Sequence, residues 1–300
     1  MKMQTTRTIT GAWLSETWAL TIRELRKWLR TPALVLVSFI QPIVWLALFG
    51  NAFNPTNLVP TQIPGFPQLT RAQLDQIRQS ILGTTFGGAA NYITYLTGGI
   101  LALILLFNSA FSGGSIVWDR RFGFLNMLLA APIARTSIFL SRVVSTVVKG
   151  MSQALIIFFL ALIVPGGLKL SSNFSALDLL GIFFVMFLLA LCFSSLFTAL
   201  AVRITKWETL IAVINLVNLP LLFASSALLP ISSMPNWLRI VAGVNPISKA
   251  VETARLFIIQ GALSTDQVST VAFDLTYLAG FAIFFTVVGV VLSRLALRAE

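Results

Sequence analysis

Apolar residues fall in long blocks along this chain, and the blocks predict its elements. Six reach or approach the roughly 18–20 residues needed to cross hydrocarbon. They are 32–53, 92–112, 143–164, 176–202, 209–229 and 271–293. Gln41-Pro42 lies in the first, where a proline removes a backbone hydrogen bond and predicts a kink. Gly98-Gly99 in the second fits either close helix packing or simple tolerance of glycine. The third ends at Pro165-Gly166-Gly167.

The segments between blocks carry patterns of their own. In 13–30, Leu14, Trp18, Ile22, Leu25 and Leu29 recur at helical spacing, with Arg23, Arg26, Lys27 and Arg30 mostly opposite. This predicts a helix lying in the headgroup plane, followed by a turn at Thr31-Pro32. Residues 54–91 read as an outer loop with a short surface helix over 69–83. Residues 118–132 begin Trp118-Asp119-Arg120-Arg121-Phe122-Gly123-Phe124-Leu125 and continue through Leu128 to Pro132. They predict one short amphipathic helix, unable to cross the bilayer and suited to press on a soluble partner. Residues 230–265 are too interrupted to span. Pro230, Pro235 and Asn245-Pro246 divide them, around Trp237, into two short helices of a re-entrant hairpin on the outer face. Irregular backbone at that depth must be satisfied by protein or water.

Composition agrees with the blocks. Hydrophobic residues make up 57% of the 300 and charged residues 10%, against about 25% charged in a soluble domain. The spans and their connections use the whole length, leaving no room for a soluble catalytic domain. A net charge of +11 would suggest nucleic acid in a soluble protein. Here the basic residues flank spans, and nucleic acid is not expected. Lys and Arg crowd the N-terminal arm, 113–149, 203–208 and the tail. The other side holds Arg71, Arg78, Lys169, Arg239, Lys249 and Arg255. The bias puts both termini in the cytoplasm. Cys192 is the sole cysteine, which excludes an internal disulfide, and histidine is absent. Residues 1–31 show no cleavable signal pattern. The fold expected is therefore an all-α polytopic membrane protein with six transmembrane helices, an N-terminal interfacial helix and an outer hairpin.

A few polar residues inside the blocks bear on function. Lys149 in span three either serves a function or snorkels to the headgroups, the reading preferred here. Asp178 and Asp274 read as interfacial rather than as a proton relay. Asn215, Asn218 and Gln41 are candidates to line a path or to cross-link helices.

Taken in order, these pieces resemble the membrane subunit of type-2 ABC exporters, the ABC-2 permeases. The resemblance rests on Arg23-Glu24-Leu25 and Gln41-Pro42; on Asp119 to Leu125 with Leu128-Leu129 and Pro132; and on Pro220, Leu229-Pro230, Met234-Pro235, Trp237-Leu238 and Asn245-Pro246. The family's usual glutamate after the arginine pair is missing, since Arg121 and Phe122 stand there. The resemblance implies that 118–132 is a coupling helix, with Phe122, Phe124, Leu125 and Leu128 as apolar contacts and Arg120 and Arg121 as charged ones. It also implies two copies of a nucleotide-binding ATPase subunit, a second copy of the permease and a path between the two. No Gly-x-x-x-x-Gly-Lys-Ser/Thr loop occurs in this chain, so ATP and Mg2+ are expected at the partner and no cofactor or metal here. The stretch Gly123–Ile133 looks most like the antibiotic-efflux branch. The expected function is export of an amphipathic drug-like or lipid substrate across the plasma membrane, by a subunit that is not itself an enzyme. Export of a polysaccharide or lipid-linked glycan is the alternative, then a non-transporting scaffold. An ion-coupled transporter would need carboxylates at mid-bilayer, and this chain has none there.

Overall fold

The computed structural model describes residues 9–48, 70–164 and 166–296, and among them every regular element is helical. In chain order these are α1 (Ile9–Leu29), α2 (Pro32–Ala47), α3 (Arg71–Thr85), α4 (Tyr92–Ser112), α5 (Gly114–Arg121) and α6 (Phe124–Ala130). After them come α7 (Arg135–Ile163), α8 (Ala176–Arg203), α9 (Trp207–Phe223), α10 (Asn236–Val244), α11 (Pro246–Ile259) and α12 (Thr265–Ala296). Among the described residues, four helical stretches are long and apolar enough to cross a membrane: α4 with α5, α7, α8 and α12. The apolar parts of α2 and α9 are shorter. The protein is a polytopic membrane protein.

Several boundaries differ from those read in the sequence. The third span begins eight residues early, at Arg135, and the sixth runs from Thr265 to Ala296. The fifth stops at Phe223, short of 229. Pro220 lies within it, and beyond Ala224 the chain turns. The end of the first span, the loop over 54–69, Pro165 and the last four residues lie outside the described residues. The helix expected over 69–83 is present as α3.

α8 is the hub, with α12, α4, α7 and α11 packed around it. Its start is fixed by a capping box: Asp178 Oδ2 accepts from Ser175 N at 2.7 Å, and Ser175 Oγ accepts from Asp178 N. Asp178 is thus a capping residue. Most of α4 is buried, 16 of its 21 residues, so it is the inner span. α12 fully buries only Val271, Asp274, Leu278, Ala282, Gly289 and Ser293; Leu275, Ala279, Val290 and Leu292 pack partly buried beside them, and Phe273, Ile283, Phe284, Val287 and Val291 face outward. That pattern suits a helix at a lipid boundary. Asp274 is only 2% exposed. It pairs with Lys249 at 3.1 Å and accepts from Thr253 at 3.0 Å. It is therefore a buried crosslink from α12 to α11 rather than an interfacial residue.

The two-helix hairpin expected after the fifth span forms as α10 and α11, broken at Asn245-Pro246. Pro230 opens a 3-10 turn and Pro235 caps α10, whose Trp237 is exposed. The irregular backbone after α9 is satisfied by protein. Asn245 Nδ2 donates to the carbonyls of Leu221 and Ala224, at 2.8 and 2.7 Å. The Arg255 guanidinium donates to those of Tyr95, Ser226 and Ala227, at 2.9, 2.8 and 3.1 Å. Arg255 also stacks on the Tyr95 ring. This arginine completes a helix end that a short α9 leaves open. Gly99 allows the same junction to close: a Cβ there would lie 1.8 Å from the Ala227 carbonyl oxygen. Of the two readings of Gly98-Gly99, close packing holds.

Candidate functional site: the α5–α6 tip and the cavity at its root

α5 continues the axis of α4 and ends at Gly123, whose φ of +72° breaks the helix. That left-handed backbone costs glycine little. The single helix expected over 118–132 is therefore two helices meeting at a sharp corner. The corner sorts the predicted contact residues. Leu125 and Leu128 are buried, and Phe124 lies under the Arg23 guanidinium, 3.8 Å from its centroid. Arg120 donates to the carbonyls of Val202 and Ile204 at 3.0 and 2.8 Å, closing the end of α8. Asp119 is 5% exposed. Exposed in this segment are Trp118, Arg121, Phe122, Asn126, Met127, Ala130 and Pro132, with Phe122 74% and Met127 68% exposed.

Asp119 belongs to a buried ionic cluster joining three helices. Arg142 of α7 pairs with both Asp119 and Glu24 of α1. Arg23 bridges the same two carboxylates, at 3.0 Å to Glu24 and 3.4 Å to Asp119, and Lys27 lies 4.0 Å from Asp119. Burial pushes the Glu24 carboxyl up; Arg142, Arg23, Lys149 and Lys27 together outweigh that and hold it below its ordinary value of 4.5. α1 docks on α7 through a polar stripe. Thr17, Thr21 and Glu24 are buried, and Glu16 accepts from Ala134 N and Ser137 Oγ, both at 3.0 Å, at the start of α7. Leu14, Trp18 and Leu29 of α1 face outward, as an interfacial helix with its apolar face toward lipid requires.

A cavity of about 800 Å3 opens beside this cluster, walled by α1, α2, α4, α5 and α7. Its mouth holds Glu24, Lys27 and Asp119, and its inner walls include Trp45, Ile104 and Phe107. Of the three path candidates, only Gln41 lines it. Asn218 is buried elsewhere with its Oδ1 unpartnered, and Asn215 is exposed on the outer face of α9. The structure thus brings Gln41, Asp119 and Phe122 to one cavity and leaves both asparagines outside it.

The sequence reading singled out Lys149 on α7 but missed the polar stripe to which it belongs. Arg142, Ser145, Lys149 and Gln153 follow at three- and four-residue steps and so share one face. Ser145, Lys149 and Gln153 line the cavity. A polar stripe with helical period inside an apolar span was the available signal.

Set against known proteins, residues 15–259 match the family described as ABC-2 type transporter. The chain is 33% identical over 234 residues to a Porphyra purpurea protein named "Putative transport permease ycf38", covering 77% of this chain and 69% of that one. It is 33% identical over 259 residues to the protein of that name from Pyropia yezoensis, covering 85% and 78%. With that of Cyanophora paradoxa it shares 32% identity over 227 residues, covering 75% and 68%. The chain belongs to the ABC-2 transporter family and is a membrane permease.

Proposed function

We propose that this chain is the membrane subunit of an ATP-driven exporter that moves an amphipathic drug-like or lipid substrate out of the cytoplasm or inner leaflet. Two partner ATPase subunits bind and hydrolyse ATP with Mg2+, and each presses on one α5–α6 tip. Both termini, α1 and the tip then face the cytoplasm, and the α10–α11 hairpin faces outward across the plasma membrane. Fifteen of the 21 Lys and Arg support that orientation. The observation that carries the reading is the tip itself. Its exposed Arg121, Phe122 and Met127 offer a partner a charged and apolar surface. Its root is joined to α1 and α7 by the Arg142 cluster. A push on the tip is thereby delivered to three helices at once. Nucleotide must favour one arrangement of these helices over another for this to drive transport. A second copy of the chain completes the path. Asn215 supports that pairing, because an amide exposed on the apolar outer face of α9 beside Leu216 and Leu219 gains a partner there.

The test is ATP hydrolysis by the permease co-expressed with its ATPase in nanodiscs, with a panel of amphipathic drugs, lipids and glycolipids. Cargo-stimulated hydrolysis is expected, and Met127→Asp is expected to abolish it while the permease still folds. Full stimulation in Met127→Asp would remove the tip from the coupling route.

A further inference from the structure

The cavity beside the tip contains a cation with no ion-pair partner. The Lys149 side chain is half-buried and lines the cavity, yet its ammonium makes no hydrogen bond and no ion pair within 4.0 Å among the described residues. Its surroundings explain why. Glu24 and Asp119, the two carboxylates at the mouth, are already engaged by Arg142 and Arg23, with Lys27 beside Asp119. Lys149 lies two turns of α7 beyond Arg142, where the walls change character. On one side is the charged mouth; on the other are Ile104, Phe107 and Trp45, with the Trp45 and Phe107 rings stacked at 6.5 Å. Gln153, one turn deeper, and Gln41 across the cavity add amides beside the apolar surface. The volume is in the range of sites that hold a drug-sized molecule.

We infer that this cavity binds a monoanionic amphiphile, its acidic head on Lys149 and its apolar body against α2 and α4. Charge complementarity selects this occupant. An unpaired ammonium in low-dielectric surroundings favours an anion, and the cations around the mouth outnumber the carboxylates. The apolar inner walls exclude a small hydrophilic ion as the full occupant. The inference deepens the transport reading and rests on it for the word substrate. The site itself stands on the geometry alone.

The test measures binding of radiolabelled oleate and of uncharged oleyl alcohol to the purified permease–ATPase complex in phosphatidylcholine nanodiscs. The wild type is expected to prefer oleate by about tenfold, a decade of affinity being 1.4 kcal/mol. Lys149→Gln is expected to bind the two probes equally, and Lys149→Arg to keep the preference. Val37→Trp, a bulky change at an exposed residue of the cavity wall, is expected to weaken both probes alike. A preference that survives in Lys149→Gln, or none in the wild type, overturns the inference. Phosphatidylglycerol added to the nanodiscs identifies the source. Competition with oleate in the wild type but not in Lys149→Gln assigns a bilayer lipid; no competition assigns a free amphiphile, and either supports the site. Binding without any stimulation of ATP hydrolysis would sink the transport reading and leave the site intact.

Discussion

Replacing Arg142 with methionine tests the cluster at the root of the tip. The guanidinium is 3% exposed and pairs with two carboxylates whose side chains are 5% and 7% exposed. Methionine keeps most of the volume and removes the charge, so the loss is electrostatic rather than a cavity. Removing one partner of a buried pair costs roughly 3–5 kcal/mol, because the other is left buried without compensation. Here two carboxylates are left. Arg23 and Lys27 remain as partners, but their side chains are 32% and 57% exposed and solvent screens them. We therefore expect a loss of about 3 kcal/mol, read as a lower melting temperature of the detergent-solubilised protein. Glu24→Gln and Asp119→Asn added to Arg142→Met should recover most of the loss, since neither carboxylate is then left buried without its partner. A single variant that melts like the wild type, or a triple variant no better than the single, would refute the argument.

The same cluster sets a pH dependence. The folded state holds Glu24 below 4.5, so its stabilisation is fully present above that pH and is lost as pH falls further. Thermal melts from pH 7 to 3 should show wild-type stability dropping below about pH 4.5. Arg142 is the largest of the charges that hold Glu24 low, so in Arg142→Met the drop below pH 4.5 should be smaller. Gly99→Ala is expected to destabilise by about 1–3 kcal/mol, because its Cβ would meet the Ala227 backbone rather than a side chain that can move. Gly280→Ala, with open space at its Cβ, is the control, and its melting temperature should not fall.

Hydrophobic periodicity made the spans legible, because a residue facing lipid or the helix core obeys the same rule. Ends were read less well where the signal is not hydrophobic. α7 starts at Arg135, since its first two turns mix Arg135, Thr136, Ser137 and Ser141 with apolar residues and dock on α1 through Ser137 and Ser141. α9 stops at Phe223, just before Ser225-Ser226 and although Ala227-Leu228-Leu229 are apolar again, because Arg255 and Asn245 replace the helix as hydrogen-bond donors. Neither residue is near α9 in sequence. At the site, Asp119 and Leu125 read as contact residues from their place in a charged amphipathic segment. Gly123 turns both inward by adding a corner that a helical wheel does not contain. Arg142 entered the reading only as a charge beside a span, whereas its partners lie 118 and 23 residues away in the chain.

The near-continuous helix formed by α4 and α5 has a mechanical consequence. Together they make a rod of 30 residues, about 45 Å long at 1.5 Å per residue. Gly113 and Gly114, at their junction, press the rod onto neighbouring helices. A Cβ at Gly113 would lie 2.8 Å from the Phe197 carbonyl oxygen, and one at Gly114 would lie 2.4 Å from the Trp207 ring. This wedge is a natural fulcrum, and it divides the rod unequally. The arm toward the tip is the 8 residues of α5, and the arm toward Tyr92 is the 21 residues of α4. Their lengths are about 12 and 32 Å. A tilt about the fulcrum that moves the tip by 1 Å thus moves the start of α4 by about 2.6 Å. A small movement of the tip becomes a larger one toward the end of α4 where Tyr95 and Gly99 make their contacts.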